Sequence, residues 1–321
     1  MSAYGLSSRA IIGEFYARLE QDIGQSWVPS VSMLFDSDQD SETYKWLGQS
    51  PAMRQWVGGR NTNGLRENGV VIPNIHYEAT MDVLVREARR DKTGQVLLRI
   101  RNMAERANAH WASLLSTLIV NGASTACYDG KNFFATDHTE GASGTQSNSI
   151  SVDISALPTG DTTGSHGSTT APSVGEMALS IQQGIQQIIG FLDDKGEPMN
   201  ELAQQFIVMV PSSLLNAANA ACAVPFLPQG MNNTLVAGNA YSCRPVANVR
   251  LNSSWTTKFA VFRVDGSTKP FIRQEETPVR MSSKAEGSEY EHDNDAWQFG
   301  IDTWRGVGYG FWQQACLVTM T

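Results

Sequence analysis

Asp129, Asp137, His138 and Glu140 lie within twelve residues of one another, in the stretch "YDGKNFFATDHTEG" that runs from Tyr128 to Gly141. Carboxylates and an imidazole are the groups that hold metal ions or move protons near neutral pH, so chemistry is sought here first. A soluble metallohydrolase built on Asp129, Asp137 and His138 is one reading. The spacing argues against it, because helical metal motifs need ligands at i and i+4 on one face, and Gly130 and the β-prone aromatics break any helix. The plainer expectation is structural: Asp129-Gly130 as a turn, Phe133 and Phe134 in a strand, and Asp137 and His138 as turn or hydrogen-bonding residues.

A second acidic run, "EGSEYEHDND" from Glu286 to Asp295, lacks the ligand order of a calcium loop and reads as a solvated loop. No nucleophile elbow, phosphate loop or dinucleotide fingerprint is present. His76, His110 and His292 are each isolated. The four cysteines, Cys127, Cys222, Cys243 and Cys316, form no C-x-x-C pair and are expected to be buried reduced thiols. No coherent catalytic constellation emerges, and no metal or cofactor is expected.

The elements around these residues say more. At 321 residues, the chain is long enough to bury roughly 75% of its unfolded surface. Charged residues make up 17% of it, below the usual figure of roughly 25%, which favours sheet and loops over a helical bundle. The net charge of -8 is uneven: residues 1–122 hold 13 basic and 13 acidic residues, residues 123–321 hold 11 and 19. Such a chain lacks the global charge of a nucleic-acid binder, although a locally basic face could still meet phosphates. The first residues contain no apolar signal region, and no uncharged apolar run is long enough to span a membrane, so assembly in a reducing cytoplasm is expected.

Ser8 is placed to cap a helix carrying Ile11, Phe15 and Leu19, which ends near Gly24. Residues 27–50 read as irregular and polar. Residues 54–91 read as a long two-stranded excursion, with β-prone pieces at 69–72 and 77–85, too poor in apolar residues to stand without a surface beneath it. From Thr93 to Asn121, the apolar residues Val96, Ile100, Met103, Ala107, Trp111, Leu114 and Leu118 predict a spine helix, stopped by Gly122. Arginines crowd its beginning, among them Arg86, Arg89, Arg90, Arg99 and Arg101. Residues 159–173, rich in Gly, Ser and Thr, predict an exposed loop with His166 facing solvent. A helix from Val174 to Leu192 follows. A buried strand from Phe206 to Val210, a helix capped by Ser212, and strands at 246–251, 259–263 and 271–272 then form a second α/β lobe. Trp297, Phe299, Ile301 and Trp304 recur near a period of two, and 315–318 closes the chain, returning to the first lobe.

An arm, an unsupported hairpin and a long spine fit a subunit that completes its surface with neighbours. The stretches "RQWVGGR" (54–60), "IPNIHYEATMDV" (72–83), "MAERANAHWASLLSTLIVNG" (103–122), "CYDGKNFFATDH" (127–138) and "DNDAWQFGIDTWRGVGYGFW" (293–312) together resemble the major head subunits of Mu-like phages. That resemblance implies an α+β fold of the Hong Kong 97 phage capsid type, with an N-arm (1–45), an E-loop hairpin (46–91), a P-domain holding the spine helix (92–199), an A-domain (200–270) and strands returning to the P-domain (271–321). It implies self-assembly as hexamers and pentamers into an icosahedral shell around double-stranded DNA, with a scaffold protein, a portal and a decoration protein as partners and no membrane. Trp56, Arg60 and Arg66 are expected to contact a neighbouring subunit, and Arg99 and Arg101 to face the lumen. An encapsulin-type compartment shell is the rival of the same fold.

Overall fold

The computed structural model describes residues 7–21, 27–45, 47, 69–91, 94–159, 165–226, 232–237 and 241–321. Helix α1 spans Ser8–Glu20, α2 Val28–Val31, and strands β1 and β2 span Ser32–Asp36 and Ser41–Tyr44. Strands β3 (Val70–Pro73) and β4 (Ile75–Leu84) lead to helices α3 (Val85–Arg90) and α4 (Gln95–Asn121). Short strands β5 (His138–Thr139), β6 (Thr145–Gln146) and β7 (Ser149–Val152) precede α5 (Val174–Ile189). Then come β8 (Gln205–Val210), α6 (Leu215–Ala223), α7 (Thr234–Ala237), β9 (Ser242–Ala247) and β10 (Lys258–Arg263). The final elements are β11 (Phe271–Lys284), α8 (Glu289–Asn294), β12 (Ala296–Tyr309) and β13 (Ala315–Met320).

Two sheets organise the chain. The first has the order β1-β11-β12-β4 and the second β7-β13-β10-β8-β9. Their inner strands β12 and β13 are joined by one turn of 3-10 helix, Trp312–Gln314.

Helix α4 serves a separate core at each end. Its first half gives Val96, Ile100, Ala104 and Ala107 to a cluster with Ile11 and Phe15 of α1 and Trp297, Phe299 and Ile301 of β12. Its second half gives Leu115 and Ile119 to a larger cluster around α5, β8, β10 and β13. Polar ties reinforce the α1 contact: Arg18 reaches Glu105 at 2.7 Å, and Asn108 Nδ2 donates to the Leu19 carbonyl at 3.0 Å. The buried face thus runs through Leu115 and Ile119, not the expected Leu114 and Leu118, because a straight helix of 3.6 residues per turn drifts from a seven-residue spacing.

Several sequence expectations give way to tertiary pairing. Residues 27–50 are not irregular where described: β1 runs parallel to β11, with Ser32 opposite Phe271, and β2 is antiparallel to β3. The second limb of the excursion is not unsupported, since β4 pairs with β12 from Ile75 opposite Arg305 to Leu84 opposite Ala296. Ser7, not Ser8, caps α1. The strand expected at 246–251 ends at Ala247, where a 3-10 turn at Val249–Leu251 begins. That expected at 271–272 grows to a 14-residue β11, because β12 lies beside it. Ser212 caps no helix; a 3-10 turn, Ser212–Leu214, precedes α6. The acidic run forms α8, capped by Ser288.

Two glycines decide how the hairpin base crosses the sheet. A side chain at Gly306 would meet the carbonyl of Pro73, and one at Gly308 would meet the Ile72 side chain. Bare backbone at both positions lets β3 lie directly on β12.

Candidate functional site

The stretch that first suggested chemistry folds into the interior. Residues 125–148 wrap beneath the β12-β13 joint, held by Asn148, whose Nδ2 donates to the carbonyls of Phe133 (2.7 Å) and Trp312 (3.4 Å) and whose Oδ1 accepts the Ala135 N–H at 2.9 Å. Gly130, with a φ of +79°, makes the expected turn. Phe133 and Phe134 lie in no strand; they fill the larger core, Phe133 stacked on Tyr309 at 4.7 Å between ring centres. The aromatic pair is β-prone, but its backbone is spent on the turn of the spine, where Phe134 N–H donates to the Gly122 carbonyl at 2.8 Å.

His138 Nδ1 lies 2.6 Å from Asp129 Oδ2 and Nε2 lies 3.2 Å from Asn148 Oδ1. The Trp312 indole stacks flat on the imidazole, 4.0 Å away with 7° between planes. The Cys127 thiol donates to Asp129 Oδ1 at 3.0 Å, as does the Lys131 N–H. Burial raises the carboxyl of Asp129, but bonds from His138, Cys127 and Lys131 outweigh it and hold the group below the usual carboxylate range. The side chains of His138 and Asp129 are 0% and 3% exposed, so no substrate in solution reaches them. Asp137 is elsewhere, on the surface, 2.5 Å from Lys131 Nζ. The three residues of the metallohydrolase reading are therefore not brought together. Glu140, buried, takes hydrogen bonds from Tyr128 and Gln313.

The basic face is at the other end of α4. Arg86, Arg89, Arg90, Arg99 and Arg106 are exposed and form no ion pair with any described residue. Arg101 does: its Nε lies 2.5 Å from Glu14 of α1, which takes up much of its charge. Of the two arginines expected to face the lumen, Arg99 is the one left open. Trp56, Arg60 and Arg66 lie outside the described residues.

Sequence reading missed the centre of the first sheet. Arg305, 2% exposed, sets its guanidinium 4.4 Å from the Trp111 ring and 3.1 Å from Glu275. Arg273 approaches the same indole at 5.3 Å and donates to Ser32 Oγ at 2.8 Å. Beside them opens a cleft of about 200 Å³ lined by Tyr77, Met103, Arg106, His110 and Ile301. Burial, then Arg305 and Arg250, hold the His110 imidazole below its ordinary value. The signal was Arg305 at the end of the alternation of Trp297, Phe299, Ile301 and Trp304, where a charge that becomes buried needs a partner.

The model of the Mu-like prophage major head subunit gpT family matches residues 10–158 and 234–321. The chain belongs to this family. The Mu-like prophage FluMu major head subunit of Haemophilus influenzae is 31% identical over 123 residues, 38% of this chain and 40% of that protein. The major capsid protein of Escherichia phage Mu is 31% identical over 108 residues, 34% of this chain and 35% of that one. The aligned stretches span well under two thirds of either relative. The procapsid protein of bacteriophage JBD30 superposes with a TM-score of 0.54 at 21% identity, covering 96% of this chain and 72% of that one. The virus-like particle of Pyrococcus furiosus gives 0.51 at 8% identity, covering 97% and 98%. At such identities the superpositions establish the fold, and it is the α+β fold of phage capsid subunits, of the Hong Kong 97 type. In this head-subunit family the buried Asp129-His138 pair reads as architecture. Among the described residues, no helix is long and apolar enough to cross a membrane.

Proposed function

We propose that this chain is the major shell subunit of a Mu-like phage head, assembling as hexamers and pentamers into an icosahedral shell around double-stranded DNA. The observation that carries the reading is the gpT family match at both ends of the chain, over residues that build the first sheet, the spine and four of the five strands of the second sheet. Two sheets bridged by one long helix make a stiff plate. Residues 46–91 would be the E-loop, 92–199 the P-domain, 200–270 the A-domain and 271–321 the returning strands. Within the proposed arm, 1–45, α1 lies on α4, β1 pairs with β11 and β2 with β3, so the described elements of the arm already pack on their own subunit.

Trp56, Arg60 and Arg66 on the hairpin would engage the adjoining subunit, and Arg99 would face packaged DNA. A confined genome is balanced mainly by counterions, so sparse, sequence-independent contacts suffice. Assembly around a scaffold protein, filling through a portal and binding of a decoration protein complete the reading. Family membership favours it over the encapsulin-type alternative, which would enclose protein cargo.

Expression with and without a candidate scaffold protein, followed by negative-stain microscopy and mass measurement, tests it. Closed shells or six- and five-fold capsomers are expected. A monodisperse monomer under every condition would overturn the reading, and shells filled with a co-expressed enzyme instead of DNA would favour the compartment.

A further inference from the structure

We infer that His138 is a buried imidazolium, protonated on both ring nitrogens, and that its charge fastens the joint between the two sheets. Asn148 decides the first proton. Its Nδ2 faces two carbonyls, of Phe133 and Trp312, and its Oδ1 faces the Ala135 N–H. Turning the amide over would set oxygen against oxygen and N–H against N–H. The atom 3.2 Å from His138 Nε2 is therefore an oxygen that only accepts, and Nε2 carries hydrogen.

Asp129 decides the second. A neutral imidazole with hydrogen on Nε2 would turn its Nδ1 lone pair toward Asp129 Oδ2, 2.6 Å away. Asp129 is the ionised partner: its other oxygen accepts from Cys127 and Lys131, each at 3.0 Å, and these bonds with that of His138 outweigh burial and hold its carboxyl below the usual carboxylate range. Burial, then Asp129 itself, pushes the Cys127 thiol up, so it donates and does not ionise. The shared proton belongs to the ring, which makes this a short, charge-assisted contact.

Other charges do not compete. Lys131 turns outward to Asp137, and Glu140 is held by Tyr128 and Gln313, so Asp129 is the carboxylate in contact with the ring. The indole of Trp312, flat on the ring at 4.0 Å, offers a cation its negative face.

A metal ion in place of these protons does not fit. Tetrahedral coordination at roughly 2.0 to 2.3 Å would hold the ligand atoms roughly 3.3 to 3.6 Å apart. The observed separations, 2.6 Å for Nδ1 to Oδ2 and 3.0 Å for Sγ to Oδ1, leave room for a hydrogen in each gap.

The position gives the charge its effect. Trp312 begins the turn between β12 and β13, and Asn148 precedes β7 and accepts the Leu317 N–H at 2.8 Å. One ring thus holds the turn that carries the chain from the first sheet into the second. The reading is independent of what the shell encloses.

The test is nitrogen NMR at neutral pH of the full chain labelled with 15N-histidine, in a variant whose other four histidines, His76, His110, His166 and His292, are glutamine. Two protonated ring nitrogens are expected; one protonated and one bare nitrogen would overturn the proposal. Asp129→Asn is expected to return the ring to a single proton, and Cys127→Ser to leave both. Should Asp129→Asn not fold, the parent and Cys127→Ser spectra decide alone. Stoichiometric metal in dialysed protein, lost in Cys127→Ser, would also overturn it.

Discussion

Glu176 shows what one buried carboxylate does at the residue scale. Its side chain is fully buried, yet it takes the N–H of Ser173 at 2.8 Å, the N–H of Gly167 at 3.1 Å and His166 Nδ1 at 2.8 Å. Burial raises its carboxyl, and these donors more than offset that, so it lies below the usual range. A carboxylate whose folded value is depressed contributes stability that is present above its unfolded value and lost as pH falls through the folded one. Glu176→Gln is therefore expected to cost about 1 to 3 kcal/mol at pH 7 and to flatten the loss of stability below about pH 4.5, read from denaturant midpoints against pH. His166 faces solvent, as the sequence predicts, but the described part of its loop is not loose. Composition located the loop correctly, but the capping box of α5, Ser173 with Glu176, ties residues 166–173 down through contacts that composition does not encode. For the same reason the Asp129-His138 pair was legible as hydrogen bonding but not as a pair: its Asn148 partner lies ten residues on.

At the scale of elements, the strongly periodic segments were legible and the weakly periodic ones were not. Helices α4 and α5 and strands β8, β10 and β13 carry regular or continuous apolar sets, which local pattern records; β7 and β9 are largely half-exposed and escape it. Strands β1 and β2 depend on partners some 240 and 30 residues away, Phe271–Glu275 and Val70–Pro73, and no local pattern marks them. Because α4 holds both cores, Ile100→Ala and Ile119→Ala are each expected to cost about 2 to 5 kcal/mol. Both are expected to lower one common unfolding transition; two separate calorimetric transitions, only one moving with each variant, would refute the shared helix. Gly308→Ala is expected to lift β3 from β12, seen as faster amide exchange at 70–73 with the second sheet unchanged.

Across the whole molecule, the sequence contains no lysine between Lys45 and Lys92. Lysine-to-asparagine isopeptide bonds from the hairpin are therefore ruled out, and shells are expected to run as single-chain bands on boiled reducing gels. Their durability would come from modest contacts repeated over many copies. Arg99→Glu is expected to leave assembly intact and to lower the salt at which DNA leaves the particles, whereas Arg101→Glu, which breaks the Glu14 pair, is expected to cost subunit stability too. One further consequence concerns synthesis. An inner strand of the first sheet is β12 and an inner strand of the second is β13, so neither sheet is complete until residues 296–320 have left the ribosome. A polypeptide cut short at residue 290 keeps α1, the spine, α5 and strands β8 to β11, yet lacks β12, which brings Trp297, Phe299 and Ile301 to the α1 cluster, and β13, which lies between β7 and β10. Strand order would thereby act as a check on completeness: a chain lacking its last strands would not present the finished sheets to a neighbour.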